Sequence, residues 1–220
     1  FIFGVANGTL FRLFSALSDP SLVLTWFVRQ LTSSPLAVGL LLPIAQGGWF
    51  LPQLLTSGFI QRYPRKMTIY RAVAFVRMLI WAVLTSLVFL LGSRNKPLLL
   101  IAFIVLFSIY SLAAGVAGLP FMDIVGKAIS PERRGSFFAW RDFTGGLLAL
   151  AGSGLVRYML DEQRGPGFPL DFGLLFGAAG IAMAMALICF FQLSEPVEEV
   201  EQVLRVEEVE VDSPQDLEKV

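Results

Sequence analysis

A single carboxylate interrupts the first long apolar stretch of this sequence. Asp19 lies near the centre of that stretch and directly precedes Pro20. An ionised carboxylate among apolar side chains is costly, so Asp19 is expected to face a cavity or a charged partner. The proline opens the backbone hydrogen bonds of the preceding turn. Two interpretations stay open: a proton-coupling or substrate-contacting carboxylate, or a structural cap or salt bridge at a helix break.

Three further polar residues inside apolar stretches are candidates for the same site. Arg12 precedes Asp19 by seven residues, so both are expected to lie on one helical face. Arg77 lies about 13 Å along another apolar stretch. It is interpreted as a partner for Asp19 or an anion contact, or else as an arginine that snorkels or joins two helices. Gln46 precedes the pair Gly47–Gly48, which either lines a cavity or lets two helices pack closely.

These residues are carried by apolar runs of membrane-spanning length. A bilayer core requires roughly 20 apolar residues per helix. The chain is 55% hydrophobic and only 15% charged, against about 25% charged residues in soluble proteins. We therefore predict an all-α membrane protein with six transmembrane helices. The runs span about residues 4–29, 36–60, 68–92, 97–121, 137–160 and 170–193.

The residue inventory excludes several classes of function. The sequence has no histidine and one cysteine, Cys189, which rules out a histidine-based catalytic triad or zinc site within the chain. We predict no metal site, no cofactor and no enzyme activity. The basic residues lie in short loops and form no contiguous face, which argues against nucleic-acid binding.

The distribution of charge predicts the orientation in the membrane. Residues 1–194 carry 15 basic and 7 acidic residues, whereas residues 195–220 carry 2 and 10. Eight basic residues lie on one side of the six runs, around the connections Gln61–Met67 and Asp123–Ser136, and five lie on the other. The positive-inside rule then places both ends of a multi-pass protein in the cytoplasm, in the plasma (inner) membrane. Residues 1–194 form the transmembrane unit, and 195–220 form an acidic cytoplasmic linker or tail.

The connection after the second run carries a recognisable motif. Residues 57–66 read S-G-F-I-Q-R-Y-P-R-K. This resembles the signature loop of the major facilitator superfamily, G-x-x-x-D-R-x-G-R-[RK]. Arg62, Arg65 and Lys66 fit its basic positions, Gln61 replaces its aspartate, and both of its glycines are substituted.

The connection after the fourth run strengthens the resemblance. Residues 123–135 read D-I-V-G-K-A-I-S-P-E-R-R-G, which is similar to the acidic residue and P-E-x-R-G segment of many family members. The resemblance covers about residues 1–195. It implies a conformational latch in which Asp123 pairs with the basic loop of Arg62, Arg65 and Lys66. The alternative is that these basic residues only determine the orientation in the membrane.

The resemblance also implies an architecture and an activity. The chain corresponds to the N-terminal six-helix half of a twelve-helix secondary transporter, which moves a small-molecule substrate by alternating access. We expect a fragment, because the sequence does not begin with methionine. The second half would then lie beyond Val220 or in another copy. The alternative is a non-transporting membrane scaffold or assembly subunit.

Overall fold

The computed structural model describes residues 1–61 and 66–193, with the backbone alone for residues 57–61. Every regular element in these ranges is a helix, as the apolar runs predict. The predicted tail, residues 195–220, lies outside the described residues. The helices are α1 Ile2–Leu17, α2 Val23–Leu31, α3 Pro35–Gly39, α4 Leu41–Gln61, α5 Lys66–Leu91, α6 Lys96–Ala128, α7 Pro131–Met159 and α8 Leu170–Phe191.

Four helical segments are long and apolar enough to cross a bilayer. They are Pro35–Thr56, which joins α3 to α4, and the helices α5, α6 and α8. Their mean hydropathies lie between 1.3 and 2.5. These segments place the chain among membrane proteins, because only a helix satisfies all its own backbone hydrogen bonds in lipid. By contrast, α1 and α2 are short individually, and α7 is the least apolar of the long helices.

The first apolar run, residues 4–29, forms two helices that are separated at Asp19 and Pro20. α1 ends before Asp19 and Pro20, and α2 begins after them. Pro20 has no N–H to continue the hydrogen bonds of α1. The carboxylate Oδ1 of Asp19 accepts the backbone N–H groups of Ser21 and Leu22, each at 2.9 Å. The chain therefore leaves one helix at the proline and enters the next through a carboxylate cap.

The predicted connection Asp123–Ser136 is also wrong in its extent, since only two of its residues lie outside α6 and α7. Asp123 and Lys127 form an ion pair at 3.2 Å one turn apart, which supports the end of α6. Pro131 stands in the first turn of α7, where its fixed φ and missing N–H suit a helix start. Polar composition alone was a poor guide to a loop at this position.

α4 and α6 cross at unusually close range. A Cβ atom on Gly48 would overlap Ser111, and one on Gly115 would overlap the backbone of Gly48 and lie 2.6 Å from the carbonyl oxygen of Trp49. The pair Gly47–Gly48 lies within the continuous helix α4. For Gly48, the interpretation of close helix packing is therefore confirmed.

The helices pack in a pattern that repeats under exchange of the two chain halves. α6 packs against α4 and α5, and α1 packs in the same way against α7 and α8. The last principal contact joins α5 to α8. Exchanging α1 with α6, α4 with α7, and α5 with α8 maps this pattern onto itself. The bundle is therefore organised as two similar three-part units around α1 and α6.

Candidate functional site

Two adjoining cavities lie end to end among the helices. The larger has a volume of about 620 Å³ and is bounded by α1, α4, α5, α6 and α7. The smaller has a volume of about 210 Å³ and extends toward Asp19 and Pro20. The same side chains line both cavities where they meet. These shared residues are Phe11, Ser15, Trp49, Arg77 and Ala114.

Arg77 stands at this junction and is buried, with 4% of its surface exposed. Its Nη2 donates a hydrogen bond of 2.9 Å to the hydroxyl of Tyr110. Its guanidinium carbon lies 5.2 Å from the ring centre of Phe11 and 5.1 Å from that of Tyr110. The hydrogen bond joins α5 to α6, so the side chain connects helices and does not snorkel to a surface.

The charge of Arg77 is not compensated by a fixed carboxylate. Its Nε atom is buried without a hydrogen-bond partner. Within residues 1–61 and 66–193, no aspartate or glutamate forms an ion pair with Arg77. The proposed pairing with Asp19 is thus not seen. A buried cation without a counter-charge is costly, so this position favours occupation by an anion.

Arg12 pairs with a residue distant in sequence. Its Nη2 donates to Asp142 Oδ1 at 2.7 Å, from α1 to α7. Both side chains are largely exposed, at 57% and 60%. The expectation that Arg12 and Asp19 share one helical face is wrong, because α1 ends before Asp19. Arg12 lines the larger cavity and Asp19 the smaller.

Arg141 is a site residue that sequence reasoning missed. Its guanidinium carbon lies 4.7 Å from the ring centre of Phe121, and its side chain lines the larger cavity. The side chain passes over Gly8, where a Cβ would overlap its Cγ, Cδ and Nε atoms. In the sequence, Arg141 stood at the start of a predicted run and counted only toward orientation. The neighbouring Asp142, a second charge within an apolar run, was the signal that could have identified it.

The larger cavity therefore carries more positive than negative charge. Its lining contains the guanidinium groups of Arg12, Arg77 and Arg141 and one carboxylate, Asp142. Of its amides, Asn7 donates to the carbonyl of Ala186 at 2.8 Å. The excess charge favours a negatively charged occupant.

Asp19 caps the start of α2 and also contacts the smaller cavity. The cap uses one oxygen, Oδ1, for two backbone N–H groups. This arrangement is a helix cap, which is the structural interpretation of Asp19. The coupling role of Asp19 stays a prediction.

The role of Gln46 at the site stays a prediction. It is exposed on α4 and does not line either of the two cavities. Gln53, two turns later on the same helix, lines the larger cavity instead and donates to the carbonyl of Trp49 at 2.9 Å. Gln46 and Gln53 are seven residues apart, which is about two helical turns. The glutamine of α4 that lines the larger cavity therefore lies two turns beyond the predicted one.

At one end of the bundle, Asp123 forms the centre of a small ionic cluster. Its Oδ2 lies 3.0 Å from Lys66 Nζ and 3.2 Å from Lys127 Nζ. The predicted latch partners Arg62 and Arg65 lie outside the described residues. Lys66 belongs to the same basic motif and contacts Asp123, whereas the contact of Asp123 with Arg62 or Arg65 stays a prediction.

No cluster of metal-ligating side chains occurs among the described residues. No family model matches this chain, and none of the curated proteins or solved structures compared with it is significantly similar.

Proposed function

We propose that this chain is one six-helix half of a secondary active transporter of the major facilitator type, which moves a small solute by alternating access. The observation that carries the proposal is the charged cavity inside a bundle of apolar helices, with Arg77 buried at its narrow junction. Ionisable residues within membrane segments face cavities or pathways far more often than lipid. A closed structural bundle has no need of such a cavity.

The packing pattern supports the resemblance in sequence. Each half of a major facilitator transporter contains two three-helix repeats of inverted topology. Here the exchange of α1 with α6, α4 with α7, and α5 with α8 preserves the principal helix contacts. If each of the six runs crosses the membrane, three crossings separate the members of each pair, which gives the inverted orientation.

Six crossings require that α1 with α2, and also α7, span the bilayer beside the four apolar segments. α7 has 29 residues, which corresponds to about 43 Å and exceeds the hydrocarbon thickness. It packs along α1. With the bias in basic residues, this topology puts both ends in the cytoplasm. The larger cavity then lies nearer the cytoplasmic end, which carries Lys66 and Asp123.

The exposed face of α1 and α7 supports a second half as partner. The ion pair of Arg12 and Asp142 lies more than half exposed on that face. A lipid-facing ion pair at this depth would cost several kcal/mol. α7 also exposes large apolar side chains such as Phe143 and Leu150. A second six-helix half, from the same chain or another copy, would cover this face and close the cavity.

The ionic cluster around Asp123 supports a latch of the kind that the motif implies. Lys66 begins α5 and Asp123 lies near the end of α6, so their 3.0 Å contact joins two neighbouring helices of the unit around α6. Breaking it would let α5 and α6 move relative to each other at this end of the bundle. In this proposal, Arg62 and Arg65 strengthen the same latch.

Thiol labelling in sealed vesicles tests the proposal against the scaffold alternative. In a background without Cys189, Ser15→Cys places a thiol on the lining shared by both cavities. Ser86→Cys on α5 is a matched control, since both hydroxyls are exposed and bond the carbonyl four residues earlier. Alternating access predicts that an impermeant reagent labels position 15 from either side and position 86 from neither.

The opposite results are equally clear. If position 15 reacts from neither side, the bundle is closed and the scaffold function stands. If it reacts from one side only, the cavity is a fixed vestibule and alternating access is wrong.

A further inference from the structure

We propose that the larger cavity binds a small organic anion with a flat, largely apolar body, whose negative group pairs with Arg77. The inference rests on the proposed function, because the bound anion would be the transported solute. It is carried by charge, by unused hydrogen-bonding capacity, and by the size and lining of the cavity.

The charge balance requires a negative occupant. Arg12 and Asp142 neutralise each other at 2.7 Å. Arg77 and Arg141 then remain in the lining, and no aspartate or glutamate of the described residues forms an ion pair with either. Two guanidinium groups beside one cavity repel each other. An anion between or beside them would relieve that repulsion and supply the missing counter-charge.

Arg77 offers donors that the protein does not use. A guanidinium group has five N–H donors in a fixed plane. Nη2 is bonded to Tyr110, whereas Nε is buried without a partner. Phe11 and Tyr110 hold the group at its position through ring contacts of about 5 Å. A group held in this way, with an unpartnered Nε in its plane, suits a carboxylate, sulfonate or phosphate oxygen.

A cationic solute has no comparable position in these cavities. Asp142 is already paired with Arg12. Asp19 in the smaller cavity directs Oδ1 at two backbone N–H groups. A cation would meet one carboxylate that is paired with Arg12, one that caps α2, and the guanidinium group of Arg77, which has no ion-pair partner among the described residues, so the larger cavity disfavours it.

The size and lining of the larger cavity indicate an organic body. The volume of about 620 Å³ lies within the range of pockets for drug-sized ligands, about 300–1,000 Å³. An inorganic ion near the size of a water molecule would fill about 30 Å³ of it. The rings of Phe11, Trp49, Tyr70 and Phe138 line the remaining space. Such walls favour a flat apolar or aromatic body by contact with ring faces.

Calorimetric binding to the full chain in nanodiscs of zwitterionic lipid tests this inference with three probes of equal shape. They are 2-naphthoate, the neutral 2-naphthylmethanol and the cationic 2-naphthylmethylammonium. We expect naphthoate to bind about tenfold more tightly than the alcohol, because a charge-assisted hydrogen bond in a buried site contributes at least this factor. The cation is expected to bind more weakly still.

Matched variants assign the binding to Arg77. Arg77→Gln should lower the naphthoate affinity about tenfold or more. Arg94→Gln, exposed in the turn between α5 and α6 and remote from both cavities, should leave it unchanged. Arg77→Lys keeps the charge without the planar donors and should bind with intermediate affinity. If Arg77→Gln fails to fold, the binding of the three probes to the unaltered chain still tests the preference for an anion.

Several outcomes would overturn the inference. They are equal affinity for the three probes, tighter binding of the cation, naphthoate affinity unchanged in folded Arg77→Gln, or inorganic phosphate binding as tightly as naphthoate. The labelling of Ser15→Cys needs no ligand, so the two proposals fail separately. If position 15 is labelled from both sides but the three probes bind equally, only the anion site is wrong. If naphthoate binds most tightly but position 15 is labelled from one side only, only the transport proposal is wrong.

Discussion

The close crossing of α4 and α6 forms one wall of the larger cavity. The stability of this crossing should depend on the absence of a side chain at Gly115. In Gly115→Ala, the new Cβ would overlap the carbonyl oxygen of Gly48, and it would lie 2.6 Å from the carbonyl oxygen of Trp49 and 3.1 Å from Pro52 Cγ. Non-bonded heavy atoms are most stable about 3.5 Å apart or more. The obstructing atoms belong to the backbone of α4, so no side-chain rotation relieves the overlap and the two helices must separate.

The magnitude follows from two opposing terms. Alanine in a helix interior is favoured over glycine by about 0.5–1 kcal/mol. Overpacking of a close contact costs about 1–3 kcal/mol. Because the contact is with backbone, we expect the upper part of that range and a net loss of about 1–2 kcal/mol in the free energy of unfolding.

The matched control lies on the same helix. A Cβ at Gly126 would meet no atom within 4 Å, so Gly126→Ala should raise the free energy of unfolding by up to about 1 kcal/mol. Both values are measured by unfolding in mixed detergent micelles, followed by circular dichroism. Equal stability of the two variants would refute the close approach of α4 and α6 at this crossing.

Three further predictions concern topology, the latch and coupling. In a cysteine-free background, Ser93→Cys and Ser130→Cys should react with an impermeant thiol reagent from opposite sides of the membrane, and reaction from one side would contradict six crossings. Asp123→Asn should change the labelling rate at the cavity by weakening the latch, with a stability loss under about 1 kcal/mol for these part-exposed ion pairs. Glu132→Gln should change neither quantity, and identical labelling in both variants would remove the latch. Asp19→Asn should keep its fold, since the amide oxygen still accepts both N–H groups. In a transporter that contains both six-helix halves, it should lose pH-gradient-driven uptake of naphthoate, and unchanged uptake across pH would leave Asp19 as a helix cap alone.

The positions of the helices could be predicted from the sequence because they depend on local properties. An apolar run of sufficient length becomes a helix in a membrane, since no other local structure satisfies its backbone. Helix starts also follow local signals. Asn95 accepts the N–H of Leu98 at 3.0 Å as the cap of α6, and Pro131 begins α7. The break after α1 was signalled by Pro20, although it was assigned to the interior of a helix.

Only some of the residues that line the cavity could be predicted from the sequence. Arg77 and Arg12 were identified because a charge in an apolar run stands out. Their partners were not, since Arg12 meets Asp142 from 130 residues away and Arg77 meets the hydroxyl of Tyr110. Arg141 was missed as a cavity residue, and Gln46 was chosen where Gln53 lines the cavity.

The sequence by itself determined that the chain is a membrane protein, where most of its helices lie, and which charged residues lie within apolar runs. Only the tertiary structure decided which side chains meet in the cavity and that Arg77 lacks a carboxylate partner. The reason lies in the solvent. In a soluble helix, the alternation of polar and apolar residues marks the buried face. Lipid is as apolar as the interior of the bundle, so the sequence of a helix such as α6 carries no mark of which face turns inward, and packing between helices makes that choice.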